Sequence, residues 1–130
     1  MMKFSVDKHE KYVVITLNES SFSNEIAPQL KSEFILLNAE GYCNIVLDLS
    51  QVIKCDDSQD LSSLLIGDRL CKKANGLFVV TGVKKDIAAI LEISGLNQSL
   101  NIVAKLAEAT DLIFMGEIEK ELLGSFDQDN

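Results

Sequence analysis

The run Ile45-Val46-Leu47-Asp48-Leu49 limits the possible folds more than any other stretch of the chain. Apolar residues occupy adjacent positions here rather than every second one, with Asn44 and Asp48 the polar exceptions across 43–49. Such a strand needs cover on both faces, so it belongs inside a sheet layered with helices. Past Val52-Ile53 comes the loop Cys55-Asp56-Asp57-Ser58-Gln59-Asp60. A helix is then expected from Ser58 or Gln59 to Lys73, with Leu61, Leu64, Leu65 and Cys71 on one face and Asp68 interrupting it. A hydroxyl at this junction stands in front of helix N–H groups that lack intrahelical partners. A phosphate placed on it changes the local charge by about two units.

The flanking segments agree with a layered sheet. Phe4 and Val6 alternate with Ser5 and Asp7, and Tyr12 to Leu17 is aromatic and β-branched. Only the polar turn His9-Glu10-Lys11 separates these two strands, so they form an antiparallel hairpin. Ser23 or Asn24 is expected to cap a helix with Pro28 in its first turn, Ile26, Leu30, Phe34 and Leu37 at helical spacing, and Gly41 at its end. Leu77 to Thr81 reads as a second buried strand after the turn Ala74-Asn75-Gly76. Lys84-Lys85-Asp86 opens a helix carrying Ile87, Ile90, Leu91 and Ile93, ended by Gly95. A short strand over 100–103 and a helix from Lys105 to about Leu123, broken near Gly116, complete the order.

That order is β-β-α-β-α-β-α-β-α. It specifies the α/β class, with an opening hairpin followed by alternating strands and helices in a mixed sheet of about five strands and about four helices. Residues 1–123 are expected to form one domain and 124–130 an acidic, frayed tail.

The composition bounds function. A chain of 130 residues buries about two-thirds of its unfolded surface, enough for a core without metal or disulfide. A net charge of −8 disfavours nucleic-acid backbones and anionic lipid, and steers a partner with a basic patch towards the chain. Cys43, Cys55 and Cys71 have neither disulfide-framework nor metal spacing and read as free thiols in a reducing compartment. The first residues carry no signal-peptide stretch, and apolar runs of four or five residues such as 34–37 and 87–91 are too short to span a membrane. A cytoplasmic protein is therefore expected. His9, the one histidine, lies in a polar turn, so no Ser-His-Asp or Cys-His pairing is built. Gly82-Val83-Lys84-Lys85 is too short for a phosphate loop. No catalytic residue, metal or cofactor is expected, and the chain reads as a binding module rather than an enzyme. Asp56 and Asp57 also invite comparison with the phosphoacceptor aspartate of receiver domains, but that fold begins β-α, and here a hairpin comes first.

At this point the residues resemble the STAS domain of anti-sigma factor antagonists and sulphate-transporter tails. The resemblance rests on Ile45-Val46-Leu47-Asp48-Leu49-Ser50 with Val52, the Asp-Ser loop, and the Leu-rich helix after it. Gly76-Leu77-Phe78-Val79-Val80-Thr81-Gly82-Val83 looks like the family's fourth strand, and Ile90-Leu91-Glu92-Ile93-Ser94-Gly95-Leu96 is similar to its Ser-Gly-Leu helix end. The likeness covers residues 3–115. It implies a protein that frees a sigma factor by binding an anti-sigma factor that is also a serine kinase. Phosphorylation of the family loop's second serine breaks that contact, and a phosphatase restores it.

The family loop reads Asp-Ser-Ser-Gly-Leu, and this chain departs from it. Counting forward from Leu47-Asp48-Leu49 puts Asp56 at the family aspartate and Ser58 at the phosphorylated serine. Counting back from Leu61 to Leu65 puts Asp57 at the aspartate, Ser58 at the first serine and Gln59 at the phosphosite. Gln59 or Asp60 stands where the family has glycine. The resemblance thus implies Ser58 as the phosphorylated residue and Asp56, Asp57, Ser58, Gln59 and Asp60 as the partner-binding loop. The alternative is a loop that never switches and binds its partner constitutively.

Overall fold

The computed structural model describes residues 3–128, with side chains to Gly124. The elements run β1 (Phe4–Lys8), β2 (Val13–Leu17), β3 (Ser21–Phe22), α1 (Ile26–Ala39), β4 (Ile45–Asp48) and β5 (Lys54–Cys55). A 3-10 helix over Ser58–Ser63 leads into α2 (Leu64–Lys73). Then come β6 (Phe78–Thr81), α3 (Lys85–Ile93), the single turn α4 (Leu96–Ser99), β7 (Asn101–Val103) and α5 (Leu106–Gln128).

Five strands form one mixed sheet in the order β1-β2-β4-β6-β7. The β1–β2 hairpin is antiparallel, as its short turn requires, and every other pairing in this sheet is parallel. Register follows from the sequence in rows across the three inner strands. Val13, Ile45 and Phe78 are aligned, then Val14, Val46 and Val79, then Ile15, Leu47 and Val80. Alternate side chains on a strand point to opposite faces. The first and third rows therefore join the core under α1, α2 and α3, together with Leu30, Phe34, Leu64 and Ile87. The middle row of valines faces the other way and packs on Ala109 and Ile113 of α5. This is why the inner strands are apolar at successive positions: each has two covered faces.

Particular side chains lock the layers. Phe34 of α1 meets Phe78 of β6 edge to face, with ring centroids 5.2 Å apart. Buried Asn44 sits just before β4 and ties three strands at one end. Its amide donates to the Lys11 carbonyl at 2.9 Å, its side-chain oxygen accepts from Leu77 N–H at 2.9 Å, and its carbonyl accepts from Val13 N–H. That accounts for the polar residue at this position of an apolar run. Cys71 is buried against the same strand layer, and loss of hydration pushes its thiol up to about 12.

Several expectations are corrected. Neither Ser23 nor Asn24 caps α1 through its side chain. Glu25 holds the cap position without a side-chain bond, and the Ser23 carbonyl accepts from Ile26 and Ala27 N–H. The segment after Ser58 is 3-10 helix for its first six residues, and regular α-helix begins only at Leu64. Helix α5 is unbroken at Gly116 and continues through 124–128, where a tail was expected; Asp129 and Asn130 lie outside the described residues. Helix ends at Gly41 and Gly95 occur as expected, both glycines lying in the left-handed region. Tyr42 N–H returns to the Leu37 carbonyl and Gly41 N–H to the Asn38 carbonyl, which satisfies the last turn of α1.

The most constrained backbone position is Gly76, where a Cβ would lie 1.9 Å from the Cys43 carbonyl oxygen. Gly76→Ala is expected to lower stability by about 2–3 kcal/mol, in the range of other overpacked sites. Urea unfolding followed by circular dichroism measures it; a change below about 0.5 kcal/mol, the scale of an inert surface substitution, contradicts this packing.

Candidate functional site

The parallel strands all deliver the chain to one edge of the sheet, and the acidic loop leaves from the centre of that edge. Beyond β4, Leu49 N–H bonds the Thr81 carbonyl at 2.9 Å and Ser50 N–H bonds the Asp48 carboxylate at 2.9 Å. Val52 is fully buried and closes a turn on Leu49. The chain then pairs through β5 with β3 in a second, two-stranded parallel sheet, and Ile53 and Lys54 N–H both bond the Ser20 carbonyl. This strap fixes where the loop starts. Two-residue strands carry no periodic signal, so the sequence gives no warning of it.

Asp56, Asp57, Ser58 and Gln59 are exposed, and Asp60 is half-buried. Asp56 is held against β3 by the Ser21 hydroxyl at 3.4 Å. Asp57 is the helix cap: its carboxylate accepts from Gln59 N–H at 3.0 Å, and its carbonyl accepts from Asp60 N–H. The Cys55 thiol donates to that same carbonyl at 3.1 Å. Burial, with the charges of Asp60, Asp56 and Asp57 adding to it, raises the Cys55 thiol above its ordinary value. One Asp60 carboxylate oxygen is enclosed without a partner among the described residues.

The 3-10 geometry sorts the residues that follow. Side chains three apart eclipse in such a helix. Leu61 and Leu64 form the buried column, Asp60 and Ser63 an inner polar column, and Gln59 and Ser62 the outer column. Ser63 is buried and donates to the Asp60 carbonyl at 2.7 Å. Ser62 is exposed and donates to the Gln59 carbonyl at 2.6 Å. Ser58 heads the Leu61–Leu64 column and is exposed only because it is the first residue of the helix, while Ser62, on the outer column, is a second exposed hydroxyl that the sequence pattern did not single out. A period of three in Gln59-Ser62 and Asp60-Ser63 is the signal that would have found it.

On α2, Asp68 is almost fully buried. One carboxylate oxygen takes the Lys72 ammonium at 2.8 Å, one turn on, while the other has no partner among the described residues. No group of three or more His, Cys, Asp or Glu among the described residues is placed to hold a metal ion. No helix among them is long and apolar enough to cross a membrane.

The central parallel strand thus emerges into a capped turn, and helices cover both faces of the sheet. The chain belongs to the Mlab, STAS domain family, with the match spanning residues 4–106. Comparison with curated proteins finds no match. Solved structures share the fold. An anti-sigma factor antagonist from Mycobacterium paratuberculosis superposes with a TM-score of 0.72 at 20% identity, covering 85% of this chain and 92% of that one. The Bacillus cell fate determinant SpoIIAA in its phosphorylated form gives 0.64 at 18% identity, covering 85% and 98%. A variant of RsbS from Moorella thermoacetica gives 0.67 at 24% identity, covering 86% and 95%.

The cap assigns unequal weights to neighbouring residues. Asp57→Ala is expected to cost about 0.5–2 kcal/mol, the usual penalty for a lost N-cap, whereas Ser58→Ala stays within about 0.5 kcal/mol. Paired urea titrations test this; equal losses at both positions contradict the assignment of the cap.

Proposed function

We propose that this chain is an anti-sigma factor antagonist of the cytoplasm, acting by partner switching, with Ser58 as the residue whose phosphorylation releases the partner. The observation that carries this reading is the placement of Ser58: exposed, first in its helix, and on a turn anchored by β4, β5 and Leu61. Asp56, Asp57, Gln59 and Asp60 are the neighbouring groups a partner would meet. An anti-sigma factor with serine kinase activity is the matching partner, and a serine phosphatase resets the site. The solved phosphorylated form of SpoIIAA supports a phosphate being compatible with this architecture.

The local hydrogen bonds indicate how such a switch would act. Gln59 N–H is already taken by the Asp57 carboxylate and Asp60 N–H by the Asp57 carbonyl. A phosphate at a helix N-terminus gains about 0.3–1 kcal/mol from the helix dipole. Each neighbouring carboxylate at ~4 Å opposes it by about 1 kcal/mol in water. Summed over Asp56, Asp57 and Asp60 the cost exceeds the gain by about 2 kcal/mol or more, still less than the about 5–15 kcal/mol that holds a domain folded, so the fold stays as it is and the dianion acts on the partner. The same occupied cap favours a second reading, a constitutive module in which Asp57 supplies a permanent charge and Ser58 is never modified.

Intact-mass and fragmentation analysis of the protein isolated from its own cells separates the two. A phosphate on Ser58 is expected, absent after phosphatase treatment and absent in Ser58→Ala. Modification confined to Ser62, or none in any growth phase, contradicts the switch. Ser58→Asp should weaken capture of the kinase partner at least about tenfold, equivalent to about 1.4 kcal/mol, whereas the constitutive module predicts equal binding by Ser58→Ala and Ser58→Asp.

A further inference from the structure

Helix α5 has two apolar faces. Ala109 and Ile113 are buried on the valine row of the sheet. On the opposite side Met115, Ile118 and Leu122 stand at helical spacings of three and four, and are 60%, 56% and 64% exposed. A helix that only covers a sheet has one apolar stripe and a polar outer face. Here the outer stripe is instead rimmed by exposed Glu108, Asp111, Glu119 and Glu121. Lys120, the only lysine of this helix, is paired with Glu117 and does not neutralise the rim.

The complementary surface lies on the same chain. Half-buried Ile66 and Leu70 of α2 floor a shallow depression of about 580 Å³ walled by Arg69, Lys72 and Lys73. Three of the chain's 12 basic residues thus crowd into 69–73 of a protein with net charge −8. Asp68 answers the charge of Lys72, but neither Arg69 nor Lys73 has an ion-pair partner among the described residues. Helices α2 and α5 pack on opposite faces of the sheet, so within one copy the two surfaces cannot meet.

We infer that the outer face of α5 in one copy docks into the α2 depression of a second copy, giving a head-to-tail assembly. Met115, Ile118 and Leu122 would cover Ile66 and Leu70, while the acidic rim faces Arg69 and Lys73. A symmetric α5–α5 pair would instead set one acidic rim against another, which charge repulsion opposes. Because the two surfaces differ, each added copy leaves one of each kind open, and assembly continues beyond the dimer unless the ring closes. This inference is independent of the loop chemistry at Ser58.

Sedimentation velocity of the full chain tests it, using two double variants. Ile118→Lys with Leu122→Lys removes the α5 face, and Arg69→Glu with Lys73→Glu removes the α2 face. The unmodified chain is expected to rise with concentration past twice its 14.3 kDa mass. Going from about 0.1 M to about 1 M salt, which shortens the screening length from about 10 Å to about 3 Å, lowers that mass. Each double variant alone sediments as a monomer, and an equimolar mixture forms a pair that grows no further, since one intact surface of each kind remains. Circular dichroism verifies that the variants fold; Met115→Ser with Ile118→Ser replaces the α5 variant if it does not. Three results overturn the inference: a monomeric unmodified chain at every concentration, an α2-face variant that still self-associates, or folded variants whose mixture stays monomeric.

Discussion

Strand β4 has no free side. Parallel neighbours β2 and β6 take its backbone groups, α1–α3 cover Ile45 and Leu47, and α5 covers Val46. Every other element is placed by reference to it. The hairpin adds β1 outside β2, and β7 closes the far edge beyond β6. The middle row is valine in all three inner strands, so a single helix with alanine at its contact can lie close on that face. Close packing of this kind is the main stabilising term available to a domain of this size.

That constraint also decides where chemistry can occur. A strand with both neighbours and both faces occupied offers nothing along its length to a partner. Its only accessible product is the turn it feeds, at the carboxyl edge of the sheet. Buried Val52 and Leu61 grip that turn on either side, and the β3–β5 strap ties down its start. The exposed run Asp56 to Gln59 is therefore a surface on a rigid base rather than a loose loop. Rigidity matters for recognition because a partner then spends little free energy ordering the site.

The layered α/β plan was legible in the sequence because burial on both faces leaves an unmistakable apolar run at Ile45–Leu49 and Leu77–Thr81, and because Gly41 and Gly95 mark helix ends by their backbone freedom. Features held by single hydrogen bonds were not legible. The strap depends on the Ser20 carbonyl, and no pattern of side chains reports a carbonyl's direction. The helix after Ser58 begins at an expected residue but as 3-10 rather than α, since a period of three over six positions differs little from 3.6. Asn44 stands out as a polar residue at the head of an apolar run, but its bridge between β2 and β6 is made with backbone groups that leave no side-chain pattern. The outward stripe of α5 was hidden because alternating apolar faces on one helix look like ordinary core spacing.

Strand β4 is enclosed on both faces and both edges, while the turn it feeds stays open to solvent. Native-state amide hydrogen exchange measured residue by residue examines both halves at once. Val46 and Leu47 should exchange only through global unfolding, among the slowest amides of the chain, while Asp56 and Ser58 exchange through local opening, orders of magnitude faster. Protection at Asp56 and Ser58 equal to that of β4, or β4 amides exchanging as fast as those of the edge strand β7, would contradict this arrangement.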